Sequence, residues 1–352
     1  YDIVSRDWSS DVCSSDLLGT GLTQPYTGKG VAIGVLDDGF DPNHIMFLDA
    51  QGKSRFKMIG YAAKEGDKLT YLTTPEQIAA YPTDDKEETH ATHVSGMAAG
   101  NYQGSSFQIK GVAPEADLLM GPIPNYESDY EMFDKMVNWC KDNGGKRLVI
   151  NMSYGANAGS HDTTDPEVAF MDEFIKKYDV VNCIAAGNEA DYDIVQRRTF
   201  TGATGETMKA AYVTDFDADG EMDVTDIYNY FTVTQPEKQV EIDVVLYNVN
   251  TGVSSKTWRF VNASNPNGRK QTYNSNYFKG TVSVTAENIA NGMKGYVLNI
   301  SDITFIKDNY ALGYVVRAKE GQTVTSYLES TTTFDTEVLG CDKDITHDGT
   351  IN

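Results

Sequence analysis

Three apolar runs in the first half of the chain each stop abruptly at a polar residue. Residues 31–36 (VAIGVL) are followed by Asp37, residues 148–152 (LVINM) are followed by Ser153, and the run VVNCIAAG is followed by Asn188. Such short, β-branched runs are typical of strands buried in a parallel sheet, where ligands bind beyond the carboxyl ends of the strands. Taken alone, the Asp-Asp-Gly step after the first run is more simply explained as a tight turn.

Amphipathic patterns between these runs predict helices over about 130–142 and 166–177. The alternation of strand and helix is that of a parallel sheet with helices on both faces. Cys140 in the first helix and Cys183 in the third run are both expected in the core. The fold class predicted for this half is therefore α/β.

A second kind of segment, HATHVSGMAAG, begins at His90. Its many small residues allow a helix to approach a sheet closely, and they place His90 in the first helical turn. His90 and His93 are spaced three apart, which permits a metal pair, but the HExxH pattern is absent. By itself, either histidine is more often structural than catalytic.

Five segments, read in chain order, resemble the subtilisin-like serine protease family. They are VLDDGFD, HATHVSGMAAG, GVAPEA, INMSYG and CIAAGNE, and together they extend over about residues 28–190. The resemblance implies peptide-bond hydrolysis through an acyl-enzyme by an Asp-His-Ser triad. It also implies the following roles: Asp37 as the orienting carboxylate, His90 as the general base, Asn188 as the oxyanion donor, and Ser153, Tyr154 and Gly155 as backbone partners of the substrate.

Some positions depart from the family pattern. Asp38 stands where the family usually has Thr or Ser, which makes Asp37 the better candidate for the catalytic carboxylate. Ala91 replaces a usual Gly, a change that we expect to be tolerated. His93 matches a histidine that is structural in the family.

The family's nucleophile segment, G-T-S-x-[AS], does not occur in the 352 residues. The chain as given is therefore expected to lack peptidase turnover, either as part of a longer gene or as a true pseudoprotease. Residues 1–17 (YDIVSRDWSSDVCSSDL) resemble translated sequencing-adapter DNA, which favours the fragment interpretation. An inactive peptide- or calcium-binding module remains the alternative function.

After Asn188 the composition changes to strand-like runs separated by turns. Their spacing predicts an antiparallel β-sandwich of about seven or eight strands, inserted into the catalytic domain. The predicted organisation is an adapter-like segment at 1–17, an incomplete catalytic domain at 18–190, the insert at 191–340, and re-entry into the catalytic domain at 341–352.

The segment DFDADGEMDVTD, at residues 215–226, has oxygen-bearing side chains in the register of a calcium loop. The competing interpretation is a solvated acidic turn in an acidic protein. No cofactor is needed for the proposed chemistry, so calcium would be structural. The candidate ligands are Asp215, Asp217, Asp219, Asp223 and Asp226.

The net charge of −22 makes nucleic acid an improbable partner, since it repels phosphate backbones. A hydrophobic content of 40% is sufficient for packed cores. No apolar run is long enough to span a bilayer. The family resemblance implies a protein or peptide substrate and a secreted or cell-envelope location, whereas the oligomeric state is not predicted.

Overall fold

The architecture was obtained from a computed structural model that places the chain in two compact units. The first unit is Tyr1–Gly155 with Met171–Ala186, and the second is Ala156–Phe170 with Gly187–Asn352. The structure describes residues 26–62, 68–81, 89–104, 106–123, 129–155, 159, 165–188, 193–215, 222–289, 292–329 and 334–335.

The first unit contains a six-stranded sheet with the order β3-β2-β6-β1-β7-β8. All neighbouring pairs are parallel except β2 with β3, which are antiparallel. The sheet is therefore mixed, whereas the sequence predicted a parallel sheet. A separate hairpin pairs β4 with β5. The strands are β1 (Val31–Leu36), β2 (Phe56–Tyr61), β3 (Thr70–Leu72), β4 (Asn101–Gln103), β5 (Gln108–Lys110), β6 (Asp117–Gly121), β7 (Arg147–Met152) and β8 (Val181–Ile184).

The register of the parallel strands aligns their carboxyl ends. Leu36, the last residue of β1, is level with Gly121 of β6 and with Met152 of β7. Met152 is in turn level with Ile184 of β8. The segments that follow these strands therefore leave the sheet along one common edge.

Helices cover both faces of this sheet, as the β-α-β-α pattern predicts. Ala91 and Ala99 of the His90 helix are buried with Val35 on one face. On the other face, Met136 of the next helix packs so closely over Gly34 that a Cβ there would lie 2.5 Å from its sulfur. The helices are α1 (Pro75–Ala79), α2 (His90–Ala99), α3 (Asp129–Asp142) and α4 (Pro166–Tyr178), with a 3-10 turn at Ile45–Phe47.

The two cysteines differ in their surroundings, and the prediction that both are core residues was wrong for Cys183. Cys140 on α3 is buried, and burial raises the pKa of its thiol to about 11. Cys183 is exposed on β8, which lies at the edge of the sheet among the described strands. The neighbouring Val181 and Ile184 are also more than half exposed.

The second unit contains two antiparallel sheets, with the orders β13-β12-β17-β10-β19 and β14-β15-β16-β11-β18-β9. Side chains from both sheets form one buried cluster that includes Ile242, Phe231 and Leu298. The strands are β9 (Val195–Thr199), β10 (Met208–Tyr212), β11 (Ile227–Val233), β12 (Val240–Asn248), β13 (Val253–Val261), β14 (Lys270–Asn274), β15 (Phe278–Asn288), β16 (Lys294–Ile306), β17 (Tyr310–Ala318), β18 (Thr323–Leu328) and β19 (Phe334–Asp335).

Two polar side chains of the second unit, Asn229 and Asp243, are fully buried and form hydrogen bonds. Asn229 on β11 is fully buried; its amide nitrogen donates to the Ser326 hydroxyl (2.9 Å) and its amide oxygen accepts from Tyr212 (3.2 Å). On β12, the fully buried Asp243 accepts hydrogen bonds from Arg259 (3.0 Å) and Arg317 (2.7 Å). Both of these buried side chains thus have hydrogen-bond partners, which offsets the cost of removing them from water.

The helices of the described ranges are α1 to α4. None of the helices there combines the length and the apolar character that crossing a bilayer requires.

Candidate active site

Asp37 is held at the carboxyl end of the central strand β1. Its side chain is only 2% exposed, and its backbone N–H donates to the Gly121 carbonyl (3.1 Å) at the end of the neighbouring β6. One carboxylate oxygen, Oδ1, accepts the N–H of Asp38 (2.8 Å), whereas Oδ2 is buried without a hydrogen bond to any described residue. A buried carboxylate with so few donors interacts strongly with any cation that forms beside it.

His90 is the first residue of α2 and faces Asp37. Its Nδ1 lies 2.8 Å from Asp37 Oδ1, although the two residues are separated by 53 positions in sequence. The imidazole side chain is 53% exposed. Since the carboxylate accepts at Nδ1, the bond favours the tautomer that carries its proton there and leaves Nε2 free to accept one.

The turn after β1 joins this strand to the start of α2. Gly39 has a φ of +77°, a left-handed conformation that glycine adopts at little cost. The carbonyl of Asp38 accepts the N–H of Ala91 (2.8 Å), and the carbonyl of Gly39 accepts the N–H of Thr92 (3.1 Å). Two of the amides that a helix N-terminus leaves without partners are therefore satisfied by the segment that follows Asp37.

Asp38 differs from Asp37 in its burial and in its hydrogen-bond partner. It is exposed, and its carboxylate accepts the N–H of Ile123 (3.3 Å) in the segment after β6. His93, the second histidine of the segment, is also exposed. Of the four side chains, the structure pairs Asp37 and His90 with each other.

The predicted substrate segment follows β7 directly. Because Met152 is level with Leu36, Ser153 leaves the sheet beside Asp37. The Ser153 hydroxyl accepts a hydrogen bond from the Asn151 side chain (2.9 Å). Ser153 and Tyr154 are half-buried and Gly155 is exposed, with open space where a Cβ would be.

Asn188, the predicted oxyanion donor, lies in the second unit, four residues after the end of β8. It is exposed. The sequence predicted a strand that ends in this asparagine, but β8 ends at Ile184, and the Ala185 N–H makes one further bond to the Met152 carbonyl of β7 (3.0 Å).

The five predicted calcium ligands are only partly described. Asp217 and Asp219 lie outside the described residues, whereas Asp215, Asp223 and Asp226 lie within them. Asp226 accepts hydrogen bonds from the Thr225 hydroxyl (2.8 Å) and the Asp302 N–H (3.3 Å). Within the described ranges, no three His, Cys, Asp or Glu side chains gather as a metal site.

Thr92 contacts the turn between Asp37 and α2, and its role was not predicted from the sequence. Its hydroxyl accepts the N–H of Asp41 (2.8 Å) and donates to the carbonyl of Gly39 (3.3 Å). The available signal was a hydroxyl residue in the first turn of the helix, a position where Ser and Thr commonly bond to backbone groups.

Known proteins resemble this chain over the same region. Residues 28–296 match the model of the subtilase family. The serine protease AprX of Bacillus subtilis (strain 168) is 32% identical over 174 residues, which are 47% of this chain and 34% of AprX. The C5a peptidase of Streptococcus pyogenes serotype M3 is 29% identical over 181 residues, which are 47% of this chain and 15% of that peptidase. The chain thus spans about a third or less of the length of these relatives.

Among solved structures, the CspB protease of Clostridium perfringens is similar with a TM-score of 0.63. The match covers 88% of this chain and 65% of that chain, at 20% sequence identity. The likeness establishes a subtilisin-like fold, with a mixed sheet in one unit and further antiparallel sheets in the other.

Proposed function

This chain belongs to the subtilase family, and on that premise we propose that it contributes the Asp and His members of a serine endopeptidase triad. The intact enzyme would hydrolyse peptide bonds in proteins through an acyl-enzyme. The proposal depends above all on one observation, the 2.8 Å contact between His90 Nδ1 and the buried Asp37 carboxylate.

The geometry of this pair suits general-base catalysis. A serine hydroxyl becomes an effective nucleophile when a neutral imidazole removes its proton during attack. His90 would take that proton on Nε2, and the buried Asp37 would stabilise the imidazolium as it forms. The half-exposed position of the ring is compatible with access by an incoming substrate.

The other family positions complete the proposal. Asn188 would donate a hydrogen bond to the oxyanion, an interaction worth about 3 kcal/mol or more in subtilisin itself. The backbone of Ser153, Tyr154 and Gly155 would pair with an extended substrate as an added strand. The two antiparallel sheets of the second unit would form a β-sandwich inserted in the catalytic domain.

One observation favours a second candidate function. No G-T-S-x-[AS] segment occurs in the 352 residues, so we propose that this chain by itself does not turn over peptides. If the full natural reading frame also lacks that serine, the segments around Asp37, His90 and Ser153 would bind peptides without catalysis. For both candidate functions we propose a secreted or cell-envelope location and a structural calcium ion at residues 215–226.

The neighbouring carboxylates Asp37 and Asp38 provide a matched test. The protein is expressed from the full natural reading frame that contains this chain, and peptide hydrolysis is compared for wild type, Asp37→Asn and Asp38→Asn. Asparagine at 37 would present an N–H to His90 and favour the wrong tautomer, so kcat is expected to fall by about 10⁴-fold. Asp38→Asn is expected to keep kcat within about tenfold.

Equal losses in the two variants would contradict the assignment of Asp37, because both make the same chemical change and Asp37 is the residue that lies 2.8 Å from His90 Nδ1. An active wild type with an unimpaired Asp37→Asn variant would contradict the triad itself. Peptide binding without turnover in the wild type would support the binding-module alternative.

A further inference from the structure

Backbone groups and the Thr92 side chain form hydrogen bonds between α2 and the turn after β1. We define the Asp–His seam as residues 38–41 together with residues 90–92 of α2. Two amides of α2 donate across this seam, from Ala91 to the Asp38 carbonyl and from Thr92 to the Gly39 carbonyl. Thr89, at the N-cap, makes no side-chain capping bond within the described part of the chain. The start of α2 is therefore fixed by the seam and not by its own cap.

The Thr92 hydroxyl doubles the connection across the seam. It donates to the Gly39 carbonyl (3.3 Å) and accepts the N–H of Asp41 (2.8 Å). The residue is only 9% exposed, so water competes little for these bonds. Thr92 thus ties the helix to backbone groups on both sides of Phe40, which is itself buried in the core.

The position of α2 has a direct chemical consequence for His90. Asp37 is fixed from the sheet side, through its N–H bond to Gly121 (3.1 Å). His90 is 53% exposed, so surrounding side chains enclose only about half of the imidazole. The ring's position relative to the carboxylate therefore depends on where the backbone of α2 begins. Catalytic geometry tolerates displacements of only about 0.5 Å.

We propose that Thr92 is a positioning residue for the general base. Its hydroxyl bonds the first turn of α2 to the backbone of Gly39 and Asp41, two and four residues after Asp37. These bonds keep His90, at the start of the helix, close enough for its Nδ1 to bond to the Asp37 carboxylate. Thr92 does not touch the reacting atoms and acts through His90. The inference rests on the proposed function only in taking His90 as the base, because the hydrogen bond that Thr92 supports can be measured without any activity.

The test uses this chain labelled with ¹⁵N-histidine. The Nδ1–H resonance of His90 is assigned by its loss in His90→Gln, and its chemical shift and its exchange with water are compared among Thr92 variants. Thr92→Ser retains the hydroxyl and is expected to match wild type. Thr92→Val keeps the volume and Thr92→Ala reduces it, and both are expected to shift the resonance upfield. Exchange should accelerate about tenfold, the factor that corresponds to one lost hydrogen bond.

A matched control separates positioning from general destabilisation. Ile78 is 1% exposed and belongs to the same core cluster as Ala91, so Ile78→Val is expected to lower Tm without altering the His90 resonance. Wild-type resonances in both Thr92→Val and Thr92→Ala would overturn the proposal, as would an equal effect of Ile78→Val. Unfolding of both Thr92 variants would also overturn it, because Thr92 would then maintain the fold and not the imidazole. Failure of the peptidase proposal is detected separately, by the Asp37→Asn and Asp38→Asn comparison.

Discussion

The buried amide of Asn229 provides a quantitative test of how the second unit is stabilised. Asn229→Leu preserves approximate volume but leaves the hydroxyls of Tyr212 and Ser326 without the partners that they have at 3.2 Å and 2.9 Å. Each buried polar group left unpaired costs about 1–3 kcal/mol. We therefore expect a loss of about 4 kcal/mol, which lowers the Tm of a unit of this size by roughly 10 °C.

Urea unfolding followed by circular dichroism measures this loss. Combining Asn229→Leu with Tyr212→Phe and Ser326→Ala removes the stranded hydroxyls, and we expect the triple variant to recover at least about half of the lost stability. As a control, Ser255→Ala at an exposed position of β13 should change stability by less than about 0.5 kcal/mol. A loss below about 1 kcal/mol in Asn229→Leu, or no recovery in the triple variant, would show that the Asn229 hydrogen bonds do not stabilise this unit.

Three further predictions concern a turn, a titrating carboxylate and a cation. Gly39→Ala should lower stability in urea unfolding by about 1–2 kcal/mol, because a φ of +77° disfavours any L-residue. In the control Gly96→Ala, the added methyl group faces open space within α2, so this change should be neutral or stabilising. Burial raises the pKa of Glu206, but hydrogen bonds from the Thr201 N–H and Arg198 outweigh it and leave the pKa lowered. Its contribution is thus present above the unfolded pKa and lost as pH falls through the folded pKa, so the stability difference between wild type and Glu206→Gln should shrink in melts below about pH 4.3. If calcium binds the 215–226 loop, millimolar Ca²⁺ should raise the Tm of wild type but not of Asp223→Asn, and identical shifts in both proteins would count against this loop.

The sequence predicted the parts of the fold that depend on local apolar patterning. β1 ends at Leu36 as expected, and the helices at 129–142 and 166–178 agree closely with the amphipathic segments. These elements are buried on a face or on both sides, so their side chains carry a clear periodic signal. β2 was not predicted, although Phe56, Met58 and Ile59 are buried, because its apolar run is short and is interrupted by a lysine and a glycine.

The exposure of Cys183 depends on sheet topology, which periodicity does not determine. A short apolar run looks the same in the centre and at the edge of a sheet, yet β8 has a neighbour on only one side among the described strands. In the second unit the described residues form eleven strands, more than the seven or eight that the sequence predicted; β9 (VQRRT), for example, has two arginines and no apolar alternation.

For the candidate site, the family resemblance selected Asp37 and His90, and residue spacing alone did not. What the sequence did not reveal is how the pair is held. The bonds from Thr92 to Gly39 and Asp41 connect residues more than 50 positions apart, and no local pattern predicts such a contact.

Asp37 and His90 are proposed to activate a serine nucleophile. The most direct test is labelling of the protein expressed from its full natural reading frame with a fluorophosphonate probe, which reacts covalently with activated serines, in wild type and His90→Ala. We expect one labelled serine in wild type, within a G-T-S segment, and a loss of labelling rate of about 10⁴-fold or more in His90→Ala. No labelled serine in wild type, or equal labelling of both proteins, would contradict it.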